Sequence, residues 1–180
     1  MMSLPSAYEA PPRSFEHATQ FAARFAALCA LISSGAIFGF FYAWICSTMW
    51  GLDAADPRVA IEAMQAMNAS VRNAVFAPAF FGTPVFMAIA AIFAWRVNTG
   101  SAALAFGLGG LIYAVGGIVL TMSINVPMNE ALAGIVVPTD VTAAQDIWTA
   151  YSGDWQMYNI IRTVFSGITL ALAGVGLMKL

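Results

Sequence analysis

Arg162 stands inside an otherwise uncharged run, "NIIRTVFSGITLALAGVGLM", with Asn159 three residues and Trp155 seven residues before it. A guanidinium carried into apolar surroundings must face inward and find acceptors. A buried cation flanked by amides is also the equipment that stabilises an enolate or another oxyanion. Two more amides, Asn125 and Asn129, close a second apolar run at "NVPMN". Pro127 between them lacks an N–H and frees a backbone carbonyl. Asparagine both donates and accepts, so Asn125, Asn129 and Asn159 are expected to satisfy the Arg162 cation and frame a polar pocket. On "MQAMNASVRN", Gln65, Asn68 and Arg72 follow at spacings of three and four, one face of a helix. Glu130 and Asp154 are the nearby carboxylates, available as a base. The reading assigns chemistry to Arg162, Asn129 and Glu130. It assigns ligand binding to Asn125, Trp155, Asn159, Arg72, Asn68 and Gln65, with Trp155 stacking on a ring and Arg72 alternatively snorkelling to the surface.

The elements that must position these residues follow from composition. Of 180 residues, 61% are hydrophobic and only 9% charged, against about 25% charged in soluble domains. Such a chain cannot cover a water-facing surface, so it is an integral membrane protein. The expected fold is all-α: a membrane four-helix bundle with helical extensions outside the bilayer. A flexible tail is expected over residues 1–14 and a single domain over 15–180. Spans of about 20 apolar residues are expected at 21–48, 73–95, 101–125 and 158–178. Pro78 and Pro84 should kink the second span, and "GLGG" and "GG" allow close helix approach in the third. "DPRVAIEAMQAMNASVRN", capped by Asp56 with Pro57 at its first turn, reads as an extension of the second helix. Trp148 and Tyr151 read as interfacial anchors. Cys29 and Cys46 share one helix, roughly 25 Å apart, too far to bridge, and read as small core residues.

Arg13, Arg24, Arg96 and Lys179 fall at one end of this bundle, with Arg58 and Arg72 at the other. That bias favours a bacterial inner membrane with both termini cytoplasmic and the polar pocket at the outer end. A formal net charge of -2 gives no reason to expect a nucleic-acid partner. No nucleotide, Ser-His-Asp, CxxC or HExxH motif is present, so no motif requires a cofactor or a metal. The expected partners are the bilayer and a lipophilic small molecule, and a homodimer or other homo-oligomer is compatible. A second reading is a haem b protein for electron transfer or haem handling, with Arg72 and Arg162 on the propionates. Its axial ligand would be His17, the sole histidine, a Met or Tyr, or one His from each subunit of a dimer.

At "NVPMN" and "WQMYNIIRT" the chain resembles the small four-helix membrane proteins related to anthrone oxygenases. Asn125, Pro127 and Asn129 form the first element; Trp155, Asn159, Arg162 and Thr163 form the second. Further likeness lies in "GFFYAW" of the first span and in Met64, Gln65 and Asn68, so that it runs from about residue 21 to 180. The resemblance implies a membrane-bound oxygenase acting on a lipophilic phenolic, anthrone-like or quinone-like molecule. Members from polyketide pathways oxidise anthrones to anthraquinones with dioxygen, without a nicotinamide or flavin motif.

Overall fold

The computed structural model describes residues 13–180, with side chains from Glu16 onward, and residues 1–12 of the expected tail lie outside them. Four helices are long and apolar enough to cross a membrane. The first joins α1 (Arg13–Ala43), one π-helical turn (Trp44–Thr48) and α2 (Met49–Asp53). A short separate helix, α3 (Pro57–Ser70), precedes the second span, α4 (Phe76–Arg96). The third joins α5 (Gly100–Tyr113), two π-helical turns (Ala114–Val119 and Thr121–Asn125) and α6 (Val126–Ala133). The fourth is α7 (Val141–Met178).

Helices α1, α4, α5 and α7 close a ring in which α1 and α5 each pack against both α4 and α7. Toward the termini the inner face of α1 is made of small side chains. Ala23, Ala26, Ala27 and Ala30 of α1 are buried against Ala90, Ala94 and Ala102, while Phe21, Phe25, Leu28 and Ile32 point outward. An apolar outer face is stable only against lipid, so helix proximity inside comes from small residues rather than from hiding large ones. Cys29 is half-buried as a core residue would be, but Cys46 is exposed on the π turn. Gln20 Nε2 donates to the Leu180 carbonyl at 2.9 Å, which places the first and last helices' ends side by side.

The helices differ from the sequence expectation where polar side chains end or extend them. The segment 57–70 is not an extension of the second helix. Asn73 breaks the chain there, its Oδ1 accepting from the backbone N–H groups of Val75 and Phe76 at 2.8 and 2.9 Å. Helix α3 is capped by Asp56, whose Oδ1 accepts from Arg58 N–H at 2.9 Å. The side-chain hydrogen bond from Arg58 holds that carboxyl down at about 2. A carboxylate depressed in this way supports the cap above its ordinary range, and the support fades as pH falls toward that value. The fourth helix begins at Asp140, which accepts from Ala143 N–H at 2.8 Å, so the segment leading into the expected span at 158–178 is helical as well. Its 38 residues extend about 57 Å, well past the roughly 30 Å of hydrocarbon in a bilayer. The surplus lies at the end away from the termini. There α2, α3, α6 and the first half of α7 form a cap around Met49, Ile61, Met64, Leu132, Trp148 and Trp155.

Pro78 falls in the first turn of α4, where no N–H partner is lost. Pro84 lies inside the helix and leaves the Phe80 carbonyl without its usual donor. The buried Tyr113 hydroxyl supplies one at 3.0 Å. Tyr113→Phe is therefore expected to lower the melting temperature in detergent, the unpaired carbonyl costing about 1–3 kcal/mol. A Phe variant melting with the parent would show that this carbonyl has another donor.

Candidate functional site

The stripe on α7 emerges as the sequence spacing requires: Trp148, Trp155, Asn159, Arg162 and Ser166 are all buried. Arg162 is 5% exposed. Its Nη2 donates to Asn159 Oδ1 at 2.9 Å and its Nη1 to Thr121 Oγ1 at 3.4 Å. Its Nε has no partner. The guanidinium carbon lies 4.6 Å from the Phe41 ring centre and 5.2 Å from that of Trp155. No carboxylate pairs with it among the described residues. Two neutral acceptors and two ring faces replace only part of the lost hydration, because a cation–π contact contributes about 2 kcal/mol when desolvated. The charge is held, but not neutralised.

Asn159 is itself oriented by donating Nδ2 to the Phe41 carbonyl at 3.0 Å, just before the π turn in the first span. On the third span the two π turns carry the chain without a break into α6, with Pro127 near its start. π turns commonly mark sites where a helix has been re-aimed for function. Here Thr121 reaches Arg162, and Asn129 two turns on reaches the cap.

Asn129 Oδ1 accepts from Tyr151 Oη at 2.8 Å and from Trp155 Nε1 at 2.9 Å. An indole N–H can only donate, so the amide orientation is fixed and Nδ2 is left free to donate into the site. Asn68 Nδ2 lies 3.4 Å from Tyr151 Oη and extends the network. These groups open on a cavity of about 600 Å³, within the range of about 300–1,000 Å³ that holds drug-sized ligands. Its walls include Phe40, Phe41, Trp44, Phe76 and Phe80, its floor Arg162 and Trp155. Arg72 and Glu130 line its rim and pair at 3.4 Å, both well exposed.

Several expected members stand elsewhere. Asn159 alone of the three amides accepts from Arg162. Asn125 is fully buried, and neither of its amide atoms has a partner. Gln65 is outside the cavity: its Nε2 donates to the carbonyls of Leu132 and Ile135 at 2.8 and 3.0 Å, closing the end of α6. Trp148 and Tyr151 are cap core rather than interfacial anchors, because α7 continues beyond the bilayer and α3 covers it. His17 is exposed near the start of α1, 24 residues before Phe41, or about 36 Å along the helix. One chain therefore does not bring His17 to the arginines, and its residues do not fit a haem ligated by His17 with propionates on Arg72 and Arg162. No cluster of three His, Cys, Asp or Glu suited to a metal occurs among the described residues.

Sequence reasoning missed Thr121, although 121, 125 and 129 repeat at four residues. It also missed Asp53, which accepts from Trp148 Nε1 at 2.9 Å, Ser152 Oγ at 2.6 Å and Gln156 Nε2 at 2.9 Å. Those three donors also repeat every four residues on α7, and they tie it to the end of the first span.

The family model described as Anthrone oxygenase matches residues 71–172, more than half of the chain. The chain belongs to the anthrone oxygenase family. This family segment contains Arg72, Thr121, Asn129, Glu130, Trp155, Asn159 and Arg162, whereas the aromatic wall at Phe40–Trp44 and the Met64–Asn68 element precede it. No curated protein matches the chain, and no solved structure does.

Proposed function

We propose that this anthrone oxygenase-family membrane protein oxidises a flat, lipophilic phenol or anthrone-like enol with dioxygen in the cavity above Arg162. One observation carries the reading: a buried guanidinium without a carboxylate partner forms the floor of an aromatic cavity. Such a site favours a ligand that is neutral when it arrives and anionic once it reacts. For an anthrone the balance is simple. A base takes one methylene proton, and the enolate carbon reduces dioxygen and gains a C–O bond. The second C–H proton then leaves as the O–O bond breaks, giving the ketone and water. Arg162 and Asn129 Nδ2 are assigned to the enolate oxygen, and the aromatic walls to the ring faces. Glu130, the one carboxylate among the described residues that line the cavity, is assigned as base. Asn68 and Asn159 hold the donors in place, and Arg72 holds Glu130. From the placing of Arg24, Arg96 and Lys179 opposite Arg58 and Arg72, we infer cytoplasmic termini and an outward-facing site.

The test is anthrone oxidation by proteoliposomes under air, followed as anthraquinone formed and oxygen consumed. The expected result is one dioxygen consumed per anthraquinone and no hydrogen peroxide. Product formed no faster than in protein-free vesicles would refute the reading.

A further inference from the structure

The cavity has two sides. Toward the cap it meets Arg72 and Glu130, and toward the bilayer it meets a gap between two spans. Helix α4 packs closely along α5, but its packing against the third span gives out past Val119. Beyond that point Ala77 and Phe81 of α4 face Met122 and Val126 across the opening, and all four line the cavity. Phe81 and Met122 are 51% and 50% exposed. The separation has local causes. Asn73 stops α3 short of α4, and two π turns interrupt the regular α-helical run of the third span at this level.

We propose that this gap is a portal through which the ligand passes laterally from the bilayer, its ring plane sliding between Phe81 and Met122 and its oxygen leading toward Arg162. Ala77, Phe81, Met122 and Val126 along the route are apolar, and the cation at its end has no carboxylate partner among the described residues. The fitting ligand is thus a membrane-dissolved aromatic with a single acidic oxygen, not a water-borne polyanion. A neutral phenol crosses the lipid-facing rim without desolvation cost, then gains a charge-assisted hydrogen bond at the floor. A polyanion would have to shed its hydration at Phe81. The proposal rests on the function read above for its ligand class.

The experiment reads binding, not turnover. Full-length protein in liposomes, with the exposed Trp50 and Trp95 replaced by Phe, reports through Trp44 and Trp155 at the cavity over a constant background from Trp148 in the cap. A hydroxyanthraquinone, which has no methylene to oxidise, is the quencher. It is expected to quench in the parent protein, and Ala77→Phe with Met122→Phe is expected to lower association and dissociation rates together, each by a larger factor than any change in Kd. Met122 is half exposed and Ala77 part-buried at the opening, so larger side chains should fold, and retained thermal unfolding with the parent's midpoint confirms it. A single rim change, Met122→Phe, gives the same direction to a smaller degree. Unchanged rates in the rim variants would overturn the portal. So would a sulfonated, membrane-impermeant analogue quenching as fast as the lipophilic probe, or no quenching in the parent. Anthrone oxidation can fail while these rates behave as stated, and the reverse, so the two proposals fall separately.

Discussion

Arg162→Leu is expected to leave the bundle as stable as the parent or more so, while anthrone turnover falls by a hundredfold or more. The two halves of that outcome have different causes. The guanidinium has Asn159, Thr121 and two aromatic rings but no carboxylate among the described residues, with one N–H unpaired. Removing a buried charge that is incompletely compensated is often neutral or stabilising. In the reacting complex the same deficit is the source of rate, because the enolate completes the pair. Loss of a donor aimed at a developing oxyanion costs about 2.7–4 kcal/mol of barrier. Arg162→Lys keeps the charge but loses the planar fork that spans Asn159 and Thr121 together, so it should fold and recover only part of the rate. Ligand linkage separates site from scaffold. Hydroxyanthraquinone should raise the melting temperature of the parent but not of the Leu variant, since stabilisation follows occupancy. Turnover that declines only in step with melting temperature would make Arg162 a packing residue.

The second large effect is structural and sits behind the site. A Cβ added at Gly116 would overlap Phe165, and the nearest atoms include that residue's own Cβ as well as its ring. A ring alone could rotate; a Cβ moves only with its helix. Gly116→Val should therefore push the third span from α7, cost about 1–3 kcal/mol or more by overpacking, and draw Thr121 away from Arg162. Gly107, on the same span, has nothing within 4 Å of an added Cβ. Gly107→Ala is expected to be neutral or to stabilise by about 0.5–1 kcal/mol. Thermal unfolding of both variants in one detergent tests the contrast. Equal midpoints would mean that the spans are not held in register at Gly116.

The sequence by itself determined the solvent, the fold class and the inward stripe. So few charges among so many apolar residues leave only lipid as surroundings, and in lipid a backbone must satisfy itself as helices. Periodicity then places Trp155, Asn159, Arg162 and Ser166 on one side of α7, and the cost of a lipid-facing guanidinium turns that side inward. These are local or one-body constraints, readable from spacing. The identity of each partner was decided between helices. Arg162 has three amides near its level, yet only Asn159 accepts from it, because Asn129 is claimed by Trp155 and Tyr151 of the cap. Thr121 reaches the guanidinium because π turns rotate the third span, which a uniform step of about 100° per residue cannot anticipate. Trp148 looked like an interfacial anchor because its partners, Asp53 and the buried face of α3, lie about ninety residues away in sequence. Spacing tells which way a side chain faces, but only packing tells what it meets. Helix offset, π turns and the break at Asn73 fix those meetings, and they left Arg162 without an anion at the base of an aromatic cavity.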